Sequence, residues 1–117
     1  MSITVKFFSN ANSNEPVRDW LRELDRADRK KIGDDLQTIQ LGWCKGLIKE
    51  PLVKCLGDGL FEARTNLPSH RISRVFFCLV DDSIVLLHGF IKKTQQTPPQ
   101  EMAIARKRQK LVKQNIE

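Results

Sequence analysis

The segment 71-RISRVFFCLVDDSIVLLHGFIKK-93 holds two runs rich in β-branched and aromatic residues, 71–80 and 83–93, joined at Asp81-Asp82. Runs of this length around a two-residue polar turn predict an antiparallel pair of long strands. The first run is apolar on both faces towards its end, as expected of a strand in the middle of a sheet. Upstream, 60-LFEARTN-66 alternates in character and joins the pair through Leu67-Pro68-Ser69-His70. A further short strand, 52-LVKCL-56, reaches it through the turn signal Gly57-Asp58-Gly59.

Working outward, residues 3–8 (ITVKFF) read as a first strand. Ser13 or Asn14 can cap a helix whose apolar face is Val17, Trp20, Leu21 and Leu24, at i, i+3, i+4, i+7. A second helix opens at Asp25 or Asp28 and continues the stripe through Ile32, Leu36, Ile39 and Trp43. With almost no linker between them, the two helices are expected as an antiparallel hairpin. After the last strand, Thr97-Pro98-Pro99-Gln100 starts a basic helix from 98 to about 114, with Thr97 as its cap. The order strand, helix, helix, three or four strands, helix predicts an α+β fold: a twisted, mostly antiparallel sheet with the two N-terminal helices on one face. The other face is then left for function. A single domain is expected over residues 1–117, since 117 residues suit one core and not two.

Apolar residues make up 40% of the chain and charged residues 29%, which excludes a disordered or low-complexity class. No apolar run approaches the roughly 18 residues that span a bilayer, and MSITVKFFSN lacks the pattern of a signal peptide. Together these point to a soluble cytoplasmic protein without membrane contact. Cys44, Cys55 and Cys78 form no CxxC pair, so buried reduced thiols are expected rather than a metal site or disulfides. The net charge is +6, and most of it lies late. From Lys92 onward seven bases face two acids, against 13 bases and 12 acids before. On the last helix Arg106, Lys107, Arg108 and Lys110, together with Arg71 on the sheet, are candidate RNA-binding residues; the alternative is a solvated helix face.

Side chains two apart on a strand share a face. Glu62 and Arg64 therefore project together, away from Phe61 and Ala63. Arg74 shares its face with Ile72 and Phe76, and His88 with Lys92, while Lys92 and Lys93 diverge. Arg64, Arg74 and one of the lysines can thus form a shallow cationic basin. Such a basin can bind a phosphodiester, because guanidinium forks match phosphate oxygens and ammonium groups add point charge. In RNA the neighbouring 2′-hydroxyl is a built-in nucleophile, so charge stabilisation and proton transfer are all that cleavage further requires. His88 or His70 can serve as base, as can a lysine whose pKa is lowered by nearby cations. The competing arrangement pairs Arg64 and Arg74 with Glu62 and surface acids. His88 equally suits a hydrogen-bonded core position. No cofactor motif and no metal-ligand spacing is present.

The segment LGDGLFEARTNLPSHRISRVFFCLVDDSIVLLHGFIKKTQQTP (56–98) resembles the phage-associated HigB-like branch of the RelE/ParE toxin superfamily. PVRDWLRELDRADRKKIGDDLQTIQLGW (16–43) resembles that branch's helical hairpin. The resemblance implies a RelE-like fold and the toxin of a type II toxin–antitoxin pair. It implies an endoribonuclease that cleaves mRNA, often on the ribosome, without a metal. It also implies a small helix-turn-helix (HigA-like) antitoxin, through which alone the toxin would meet operator DNA. Residue by residue, it places Arg74 on the scissile phosphate, Arg64 and Lys93 in charge stabilisation, and Lys92 and His88 in proton transfer. Two departures stand out: the chain has no Tyr, which some relatives use near the C-terminus, and Glu62 stands where some have a second cation. Other outcomes within this fold are a ParE-like toxin acting on DNA gyrase and a non-catalytic nucleic-acid-binding regulator.

Overall fold

The computed structural model describes residues 3–93 and 96–114. Five strands and three helices follow in the order β1 (Thr4–Phe7), α1 (Pro16–Glu23), α2 (Arg26–Trp43), β2 (Val53–Gly57), β3 (Leu60–Leu67), β4 (Arg71–Val80), β5 (Ser83–Lys92) and α3 (Pro99–Gln114). The strands form one sheet in the order β1-β5-β4-β3-β2. All pairings are antiparallel except β1 with β5. β1 and β2 lie at opposite edges, so α1 and α2 carry the chain across one face before the meander returns to β1. The α+β fold with a mostly antiparallel sheet is the one the strand pattern predicts.

Alternation sorts the apolar residues into two cores. Phe61, Ala63 and Leu67 of β3, Val75 and Phe77 of β4, and Ile84 and Leu86 of β5 pack with Val17, Ile32 and Ile39. Leu60, Phe76, Cys78, Val85, Leu87 and Phe90 face the other way, with Ala105 of α3 among them. Burying each large apolar side chain stabilises the fold by roughly 1.5–3 kcal/mol. The face expected to be open is therefore partly covered by α3. Two details adjust β5 to its neighbours. Its register slips between Phe76↔His88 and Phe77↔Leu86, so Leu87 and His88 both serve the α3 side. Gly89 lies beneath Trp20, where a Cβ would stand 2.5 Å from the indole ring.

Several local expectations are corrected. α1 packs against β5 and α2 against β3, and the apolar stripes of both helices enter the same core. α1 begins at Pro16 without a side-chain cap; Asn10 instead braces the preceding turn by accepting from the amides of Asn12 and Asn14. α3 begins at Pro99, with the Pro98 carbonyl accepting from the amides of Glu101 and Met102, and Thr97 does not cap it. Cys78 alone is buried, which pushes its thiol pKa up, whereas Cys44 and Cys55 are exposed.

Candidate functional site

Three cross-strand rows carry the polar residues on the α3 side of the sheet: Glu62–Phe76–His88, Arg64–Arg74–Phe90 and Asn66–Ile72–Lys92. The shared faces deduced from strand parity are all present. What the side chains do there differs from the expectation at several positions.

Glu62 is completely buried, and both of its oxygens are occupied. Oε1 accepts from Arg64 Nε at 2.9 Å and from Arg74 Nη1 at 2.8 Å, and Oε2 accepts from the Thr97 hydroxyl at 2.7 Å. Burial pushes this carboxyl towards protonation. The bonds from Thr97 and Arg64 and the charge of Arg74 outweigh that cost and hold its pKa below the ordinary glutamate value. Arg74 is 1% exposed, so its expected contact with a scissile phosphate is not what this arrangement provides: a buried carboxylate requires a paired cation, and Arg74 is that cation. Arg64 differs. Its side chain is 25% exposed, and among the described residues only its Nε is hydrogen-bonded, so both Nη groups are left for a ligand.

Arg64 lines a hollow of about 450 Å³ together with Lys31, Asp35, Pro51, Leu52, Asn66, Ile72 and the small accessible part of Arg74. The hollow exists because β2 accompanies β3 no further than the bond from the Arg64 amide to the Leu52 carbonyl. A second hollow, of about 480 Å³, shares Asn66 and Ile72 with the first and adds Ser69, His70 and Lys93. Lys92 and Lys93 are both exposed at the end of β5. The accessible cations thus gather around the turn end of the β3–β4 hairpin.

His88 does not reach this region. Its ring is in line with Phe76 and Phe90, with centroids 6.2 Å away on each side. Nδ1 is 3.4 Å from Arg108 Nη1 and Nε2 is 3.1 Å from Glu101 Oε2. Arginine only donates, so Nδ1 accepts and Nε2 carries the proton that bonds Glu101. Both nitrogens have neighbours, the hydrogen-bonded arrangement that stood as the alternative to a proton-transfer role.

The expected RNA-binding set divides in two. Arg71 sits on the α1/α2 side, where its Nη groups form a bidentate pair with Asp28 at 2.7 and 3.1 Å and its Nε bonds the Pro68 carbonyl. Arg106 turns inward to the carbonyls of Leu56 and Gly57, both at 3.0 Å, while Gln109 bonds the Asp58 carbonyl. Arg108 bonds the Leu87 carbonyl and lies over the Phe8 ring, and burial lowers its pKa. Arg106 and Arg108 brace the fold, whereas Arg71, paired with Asp28, keeps 30% of its side chain in solvent and lines the second hollow with His70 and Lys93. Lys107 and Lys110 do face solvent.

Among the described residues no three His, Cys, Asp or Glu side chains gather closely enough to hold a metal ion, and no helix is long and apolar enough to cross a membrane. Lys31, Asp35, Asn66 and Thr97 were not legible as site residues. Lys31 and Asp35 show in sequence only as charges one turn apart on the polar face of a helix, and Thr97 only as a cap.

Compared with known proteins, residues 19–110 match the family model described as Phage derived protein Gp49-like (DUF891). No curated protein matches the chain.

Proposed function

This chain belongs to the Gp49-like phage-derived family, a RelE/HigB-type family associated with the toxins of toxin–antitoxin pairs, and from that premise we propose that it is an mRNA-cleaving endoribonuclease. It acts on ribosome-bound message to stop translation, without a metal ion, and a small helix-turn-helix antitoxin is its partner. One observation carries this reading: Arg64, which lines an accessible hollow, is fixed at Nε by a buried carboxylate and has no further hydrogen-bond partner among the described residues. A guanidinium held in that way is a preorganised receptor for phosphate oxygens.

The 2′-hydroxyl oxygen attacks the adjacent phosphorus as its proton passes to a base. The bond to the 5′-oxygen breaks, and that oxygen takes up a proton. The products are a 2′,3′-cyclic phosphate and a 5′-hydroxyl. Arg64 stabilises the charge that builds on the non-bridging oxygens, and Lys93 adds to it. Arg74 contributes indirectly, by holding Glu62 ionised behind Arg64. Lys92, and His70 beside Lys93, are exposed candidates for moving protons, with His88 held between Arg108 and Glu101.

Induced expression with pulse labelling tests the proposal. Protein synthesis should stop first and messages should be cut. Replication stopping first, with messages whole, would instead mean a gyrase poison, and neither effect would mean a regulator. Arg64→Ala should lower cleavage about a hundredfold or more, the scale for losing one charge-stabilising donor, with the melting temperature little changed.

A further inference from the structure

The hollow at Arg64 offers more than a phosphate requires, and we propose that it is a nucleobase pocket selective for guanine, with Asp35 and Asn66 as its reading residues. This rests on the ribonuclease reading above. At about 450 Å³ the hollow lies in the size range of small-ligand sites and has room for a base with its ribose. Pro51, Leu52 and Ile72 supply apolar surface against which a base can lie. Asp35 and Asn66 supply the polar groups, and neither side chain has a hydrogen-bond partner among the described residues. Lys31 is one helical turn from Asp35 and lines the same space.

The choice of base follows from the donors. An ionised carboxylate only accepts, and its two oxygens suit two adjacent donors. On the pairing edges of the RNA bases, only guanine places two N–H donors side by side, at N1 and N2. Adenine offers one donor beside an acceptor there, cytosine one donor followed by two acceptors, and uracil one donor between two acceptors. The Asn66 amide and the Lys31 ammonium can donate to guanine O6, whereas an adenine amino group in that place would meet a cation. Arg64 holds the phosphate at the mouth while the base of the same nucleotide enters, so one structural unit would both grip the backbone and read the sequence.

Labelled trinucleotides with 2′-O-methyl groups bind without being cut and test this by fluorescence anisotropy. The wild-type protein should bind UGU about tenfold more tightly than UIU, whose inosine lacks the N2 amino group, and more tightly than UAU. Asp35→Ala and Asp35→Asn should remove that preference, and Asn66→Ala should reduce it. Arg64→Ala should weaken all three ligands alike. Asp35 is part-exposed on a helix surface, so its variants should keep the wild-type melting temperature. Equal binding of the three ligands, no binding of any, or an unchanged preference in Asp35→Ala would overturn the pocket assignment. If wild type still cut messages in cells, the ribonuclease reading would survive that loss. A guanine preference in a protein that cut no message would retain the pocket and remove the nuclease.

Discussion

The two sides of the sheet solve the packing problem differently. On the α1/α2 side Val17, Ile32, Ile39, Val75 and Phe77 pack together, and the Arg71–Asp28 pair leaves 30% of the Arg71 side chain in solvent. On the α3 side Glu62 and Arg74 are buried, Gln109 is nearly so, and His88 and Arg108 are half enclosed. Burying charges costs more than burying methyl groups, and apolar replacement of a buried ion pair is often neutral or stabilising. The α3 side is therefore the costlier construction. What it provides in return is direction: a fully bonded carboxylate fixes where Arg64 points, which an oily contact cannot do.

That contrast can be broken at Glu62. Glu62→Ala removes one partner of the buried Glu62–Arg74 ion pair and should destabilise the protein by about 3–5 kcal/mol, read from urea unfolding. The same variant should impair RNA binding at Arg64, whereas Ile39→Ala, costing a comparable 2–5 kcal/mol or so on the apolar side, should leave the affinity of the folded protein unchanged. A smaller effect is expected at Gly89. Gly89→Ala forces Trp20 off the strand and should cost about 1–3 kcal/mol, with a shift in tryptophan emission that marks the apolar side as the one disturbed.

The smallest effect separates the sides by pH. The carboxyls of Glu62 and Asp28 both have depressed pKa values, the latter chiefly through its hydrogen bond from Arg71. A group of this kind stabilises the fold above its unfolded pKa and loses that contribution as the pH falls through the folded value. The melting temperature should therefore hold above the ordinary glutamate value of 4.5 and decline below it. Glu62→Gln should flatten the upper part of that decline, and Asp28→Asn the lower part, below 3.8.

The strands and their facing were legible because β-branched runs and period-two alternation are local signals. Glu62, Arg64 and Arg74 fall together by parity alone, and their mutual pairing was the stated alternative to an open basin. The basic helix was legible as an element, from 98 to about 114 against the observed Pro99–Gln114, but the facing of its residues was not. Its inward residues include Ala105 and Gln109, which mark no apolar stripe, so nothing local shows that Arg106 and Arg108 turn inward while Lys107 and Lys110 do not. Arg106 finds its acceptors some fifty positions away in the chain. Lys31 and Asp35 enter the site only because α2 passes the part of β3 that β2 leaves uncovered, a fact of topology and not of composition.

Besides the contact of Arg108 with His88, the bonds by which Arg106, Arg108 and Gln109 dock the last helix end on peptide oxygens, at Leu56, Gly57, Asp58 and Leu87. Every residue type carries such an oxygen. The receiving positions are thus free to drift over generations as long as the main-chain path is kept, while the three donors are not. The helix is moored to a shape rather than to a spelling.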